Sequence, residues 1–225
     1  MRAWHFLPED KKLKYGDGRE VVLGETITVD PAKLNLCNYG LHASVKALDA
    51  LSFLNWPDAI ICRVELGGKV LGEGDKHVAS ERTVIAWCDA DAILHQFAIR
   101  VALDCLPYFE DEFPGDLRPR KAIETKMAYL QGRATLKDLE AAAVAAAAAV
   151  REARAAAADS SAAAVAAAAA ADSSAAAAVR EAPRSAWAAV WAAASWAAPR
   201  SAWAATREKY NTWLEEMFSE SLGLK

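Results

Sequence analysis

Few side chains in this 225-residue chain are of types that do chemistry, and their spacing decides which chemistry is open to them. Cys37, Cys62, Cys88 and Cys105 are the strongest candidate metal ligands and nucleophiles, yet none lies within four residues of another. The paired C-x-x-C spacing of a zinc site is missing, and no metal centre is expected. With no secretion signal in view, the four read as free packing cysteines. Among the histidines, His42 and His77 could pair with Glu81 in acid–base work, although a lone histidine is more commonly a satisfied core or surface residue. Glu110-Asp111-Glu112 is an acidic run too short to imitate a nucleic acid, and Asp75-Lys76 reads as a charged, solvated turn. The tryptophans are patterned. Trp187 and Trp191 stand four apart; Trp196, Trp203, Tyr210 and Met217 stand seven apart, with Trp213 three beyond Tyr210. Such a stripe is either a helical core seam or a partner-binding face anchored by Trp187, Trp191 and Trp203, and the seam is favoured because aromatics on a helical period pack inward.

Charge narrows the partners. Lysine plus arginine total 26 and aspartate plus glutamate 30, a net of −4. Residues 141–225 carry eight basic and eight acidic side chains, so the acidic excess sits in 1–140. No basic patch stands out, and nucleic-acid binding is not expected. Residues 141–200 hold 35 alanines in 60 positions, but Arg151, Glu152, Arg154, Asp159, Asp172, Arg180 and Glu181 interrupt them. The longest uncharged run, Ser185 to Pro199, is 15 residues, short of the ~18 that a spanning helix needs. The opening Met-Arg-Ala-Trp-His-Phe has no apolar signal core, so a cytoplasmic protein without a membrane partner is expected.

The elements that would position these residues fall into two groups, and the fold class expected is α+β: a small mixed, strand-rich domain over 1–90, then an all-α, alanine-rich helical domain over 91–225. In the first, strands are expected at Arg2–Leu7, Val21–Val29 with a kink at Gly24, Ala59–Leu66 as a central strand ended by Gly67-Gly68, and Arg82–Cys88. Val45–Leu54 reads as a short helix with Val45, Leu48 and Leu51 on one face. In the second, Leu94, Ala98, Val101 and Cys105 mark an amphipathic helix opened by Asp89 or Asp91 and bent or ended by Pro107. A further helix runs over Pro119–Leu130 with Ile123, Met127 and Leu130 inward, and Gly132 closes it. Thr135-Leu-Lys-Asp138 has the form of a capping box. Beyond it, Asp-Ser-Ser-Ala-Ala-Ala recurs at 159 and 172, and Ala-Pro-Arg-Ser-Ala-Trp-Ala-Ala at 182 and 198. Short stacked helices are expected there in preference to one rod.

Three resemblances add to this reading. Ala3-Trp-His-Phe-Leu7, Tyr15-Gly-Asp-Gly-Arg19, Leu36-Cys-Asn-Tyr-Gly-Leu-His-Ala-Ser44, Cys62-Arg-Val-Glu-Leu-Gly-Gly68 and Ala79-Ser-Glu-Arg-Thr-Val84 resemble an uncharacterised domain near the N-terminus of many phage and bacterial proteins. From about residue 98, Tyr108-Phe-Glu110, Asp116-Leu-Arg-Pro-Arg-Lys-Ala-Ile-Glu124 and the alanine arrays resemble an alanine-rich helical immunity-protein family. Together they imply a phage- or mobile-element-type accessory protein that binds a protein complex of a bacterial host or phage, as an inhibitor or immunity factor and without a cofactor. The order of elements in 1–90 is also similar to that of ADP-ribosyltransferases. That resemblance implies an alternative, an enzyme using NAD, with His5 holding a ribose hydroxyl, Ser44 beside the nicotinamide and Glu81 as the catalytic carboxylate. A structural, virion-associated component is the third expectation.

Overall fold

The computed structural model of the chain describes residues 1–14, 17–36, 38–54, 58–156 and 200–224. The described elements are β1 (Arg2–Pro8), β2 (Thr26–Thr28), β3 (Leu41–Ala43), α1 (Ala47–Leu51), β4 (Ala59–Glu73), β5 (Lys76–Asp89), α2 (Asp91–Glu112), α3 (Arg118–Leu130), α4 (Leu136–Ala156) and α5 (Arg200–Ser221). An antiparallel sheet followed by helices is the α+β class expected. The chain divides into two compact units, one of Met1–Ile93 with the residues from Asn211 on, the other of Leu94–Tyr210.

In the first unit the sheet runs β1-β4-β5-β2, with β3 also on β5, and every pairing is antiparallel. Ser44, one residue beyond β3, exchanges both backbone hydrogen bonds with Trp4 of β1, at 2.7 and 2.9 Å. The path β1-β4-β5-β3 therefore returns to β1 and forms a ring, which leaves fewer unpaired edge groups. Ala3, Leu7, Leu41, Ala43, Cys62, Val64 and Val84 supply its core. Gly67-Gly68 does not end β4. The strand continues to Glu73 through a bulge between Gly67 and Val70, where Gly68 takes φ +63°. A β-carbon there would lie 2.2 Å from Ser80 Oγ, so glycine is what lets the strand kink and go on. β5 begins six residues before Arg82, because Gly74-Asp75 forms a two-residue hairpin turn with Gly74 at φ +59°. Of Val21–Val29 only Thr26–Thr28 is strand; Gly24, at φ +81°, turns the chain and gives its N–H to the Val84 carbonyl at 2.8 Å.

α1 is shorter than expected, and Val45 lies outside it and exposed, while all five of its residues are buried. Its first turn has no side-chain cap of its own. Instead Glu215 Oε1 accepts the Ala47 N–H and Asn211 Oδ1 accepts the Leu48 N–H, both at 3.0 Å. Nearby, the Phe218 ring meets those of Trp4 and Phe6 at 5.8 and 6.0 Å. These contacts explain why residues from Asn211 on belong to the first unit, although composition placed them with the helical half.

In the second unit α2 buries Leu94, Ala98, Val101 and Cys105 as its spacing predicts. Pro107 does not end it. Pro107 lies on the exposed face one turn beyond exposed Leu103, so the carbonyl that loses its partner there faces water. In α3 the inward residues are Pro119, Ala122, Ile123 and Lys126; Met127 and Leu130 point out, because the three- and four-residue steps start from Pro119. Gly132, at φ +69°, closes α3 with Gly132 N–H to Tyr129 O and Arg133 N–H to Ala128 O, the paired bonds of a Schellman motif. The Thr135–Asp138 capping box is present with both reciprocal bonds, at 2.9 and 3.2 Å. α4 buries Leu139, Ala143, Ala146, Ala149 and Ala153, and Ala146 packs on Ala122 of α3, a small-residue contact that permits close approach of the axes.

Both copies of the Asp-Ser-Ser repeat and the copy of the other at 182, with Trp187, Trp191 and Trp196, lie outside the described residues; the copy at 198 enters them at Arg200. Trp203 lies in the first turn of α5. Further along α5 the buried line is Tyr210, Leu214 and Phe218 at steps of four, not the expected seven-residue step to Met217, which is half-buried like Trp213.

Candidate functional site

In the first unit, residues of β1, β3 and β5 and of the loops beside them line a cavity of about 870 Å³. β1 contributes His5, the segment from β3 into α1 contributes His42 and Ser44, and β5 contributes Arg82. Alternation decides this: on β5 Arg82 faces the cavity, and its neighbour Glu81 therefore faces the other side of the strand. Glu81 rests its carboxylate against the Gly67-Gly68 bulge. Of the residues implied by the transferase resemblance, His5 and Ser44 thus share the cavity and Glu81 does not line it. The His42, His77 and Glu81 grouping is also not assembled. His77 packs over Gly72 at the hairpin end, and His42 Nε2–H donates to the Leu36 carbonyl at 2.9 Å.

Arg82 was not singled out by sequence reading. It is 2% exposed, and its Nη1 donates to the His42 carbonyl at 2.7 Å. Burial pulls its guanidinium down to about 10, so it stays charged at neutral pH. Burial, then Arg82 and His42, hold His5 well below its ordinary value, which leaves that ring neutral. Burial likewise lowers His42, and it pushes the Cys62 thiol up to about 12. With the His5 ring neutral, the charge beside it on this wall of the cavity is that of Arg82. A sequence signal did exist: an arginine at the core-facing position between Ser80 and Val84, in a run of strand formers.

In the second unit the functional question falls on Asp116-Leu-Arg-Pro-Arg120. Arg118 grips Asp116 through Nε and Nη2 at 2.8 and 2.6 Å and reaches Glu152 of α4; Arg120 holds Glu110 of α2 by the same two nitrogens, both at 2.6 Å. Two bidentate arginines on one turn of α3 thereby tie it to the helices on either side of it in sequence. Being partly exposed, they fix orientation more than they add stability. Tyr210 OH donates to Asp104 at 2.9 Å, which also accepts Lys209 Nζ at 2.6 Å.

Residues 89–216, the stretch from the foot of β5 into α5, match the family model described as "Imm-5 like putative immunity protein". The chain belongs to that family. Residues 5–96 match a second model, "Domain of unknown function (DUF7666)". Neither the curated proteins nor the solved structures contain a match. The family is one of immunity-type proteins, and the Asp116–Arg120 clamp lies within the matched stretch. Among the described residues no group of three or more His, Cys, Asp or Glu is placed to hold a metal ion, and no helix is long and apolar enough to cross a membrane.

Proposed function

We propose that the chain is an immunity-type inhibitor in conflict between bacteria and phage, acting by binding a partner protein complex through its helical unit. What supports this is membership of the family across 89–216. The outward face of α3 fits the reading: Met127 and Leu130, three residues apart, are 39% and 41% exposed while the opposite face is packed. Exposed apolar side chains set together on a rigid helix are the usual anchors of a protein interface. Cells carrying the chain are to be challenged with toxin-bearing competitors and with phage, and the complex recovered with the tagged chain identified. The Met127→Glu/Leu130→Glu double variant should keep its helical circular dichroism and lose both protection and the recovered complex. Protection that survives the double substitution, or no protection in either challenge, overturns the reading.

A second reading, NAD-dependent ADP-ribosyl transfer in the first unit, has one observation in its favour: His5 and Ser44 line one cavity. Calorimetry with NAD on the full chain and on Glu81→Gln separates it. The absence of binding heat in the unsubstituted chain removes it.

A further inference from the structure

Arg82 has three faces of donors, and the protein uses one. Nη1 is taken by the His42 carbonyl, whereas among the described residues no group accepts from Nε and Nη2. Those two nitrogens lie on one edge of the guanidinium plane, the fork that meets a pair of oxygens side on. The chain shows the use of this edge elsewhere. Arg19 holds Asp17 by Nε and Nη2 at 2.6 and 2.7 Å, and Arg120 holds Glu110 by the same pair. Both of those arginines are partly exposed and satisfied. The buried one carries a fork without an acceptor, and desolvated donors left unpaired are costly.

The rest of the cavity has the charge and size of an anion pocket. Its lining holds four basic side chains, Lys12, Lys14, Lys76 and Arg82, and one carboxylate, Asp17. Asp17 is engaged by Arg19 and Lys14 by Asp10, so neither pair adds net charge to the pocket. A volume of about 870 Å³ exceeds what a bare inorganic ion fills and falls in the ~300–1,000 Å³ range of small-molecule sites. Tyr39 and Phe53 offer apolar surface for the body of a ligand.

We infer that this cavity binds a small organic anion whose carboxylate or phosphate lies side on against the Nε/Nη2 edge of Arg82, with Lys12 and Lys76 setting the preference for negative charge. The inference concerns the first unit and stands independently of partner binding by the second.

The test is calorimetric titration of the full chain with succinate, AMP and inorganic phosphate. Saturable binding of succinate or of AMP is expected, and whichever binds identifies a carboxylate or a phosphate as the source of the oxygens. Arg82→Lys keeps the charge and loses the fork, and should weaken binding about tenfold or more. A measurement on the unsubstituted chain guards against a variant that does not fold: the Arg82 side-chain Nε–H resonance should shift on titration with the bound probe. Binding of inorganic phosphate alone, no binding of any probe up to ~10 mM, or binding that leaves the Arg82 resonance in place would overturn the inference.

Discussion

Phe218→Ala is the most direct test of how the first unit is held. Phe218 is fully buried, and its ring lies 5.8 Å from Trp4 and 6.0 Å from Phe6, at 43° and 73°. Truncating a buried phenylalanine costs about 3–5 kcal/mol in lost transfer energy and cavity formation. Part of that is the aromatic geometry, about 0.5–1.5 kcal/mol per pair. For a unit of roughly a hundred residues, each kcal/mol moves the melting temperature about 4–8 °C, so a fall of about 12 °C or more is expected. The assay is thermal unfolding combined with peptide-level hydrogen exchange. Exchange should accelerate in β1 and β4, far from position 218 in sequence, while α3 and α4 keep their protection. A melting temperature lowered by less than about 3 °C, or exchange enhanced only within 94–210, would refute the assignment of the C-terminal residues to the first unit.

Four further outcomes follow from other groups. Asn211 is buried, and Asn211→Ala removes the acceptor of the Leu48 N–H; a loss of about 1–3 kcal/mol and faster exchange at Leu48 are expected by denaturant titration and NMR. Gly68→Ala places a β-carbon at φ +63° and 2.2 Å from Ser80 Oγ, so a cost of about 1–3 kcal/mol is expected, together with loss of the Lys69 N–H to Ser80 bond. Lys126, pulled down to about 7 by burial against an ordinary value of 10.5, binds fewer protons folded than unfolded between those values. Stability should therefore rise with pH from 7 to 10.5, and urea titrations of Lys126→Met should lose that part of the slope. His95, lowered to about 4 by burial and then by Lys126, has the same sign of effect, with stability lost as pH falls from 6.5 toward 4.

What could be read from the chain was mostly local. β1, the start of β4, the inward line of α2, the capping box at Thr135 and the glycine that closes α3 are each decided by neighbours within a few residues. The misreadings share a cause in distant partners. Gly67-Gly68 looks like a stop until β5 supplies the other side of the bulge. α1 is read too long because the groups that set its first turn, on Asn211 and Glu215, lie more than 160 positions away. A period counted from Ile123 puts Met127 inward, whereas Pro119 sets the face. The cavity was partly legible: His5 and Ser44 were named through a resemblance, but Arg82 was seen only as the beginning of a strand. Its significance lies in an unpaired edge that no spacing rule reports.

The capping of α1 by Asn211 and Glu215 also bears on how the chain comes to be folded during synthesis. Trp4, Phe6 and the Leu48 N–H emerge from the ribosome early, and the groups that cover them emerge near residue 218. At about 5–20 residues per second the interval is on the order of 10–40 s. Throughout it the nascent sheet shows aromatic surface to whatever holdase or neighbouring nascent chain it meets. The first unit closes last although it is translated first, and a ribosome that stalls anywhere in the alanine arrays would leave behind a sheet unable to finish itself.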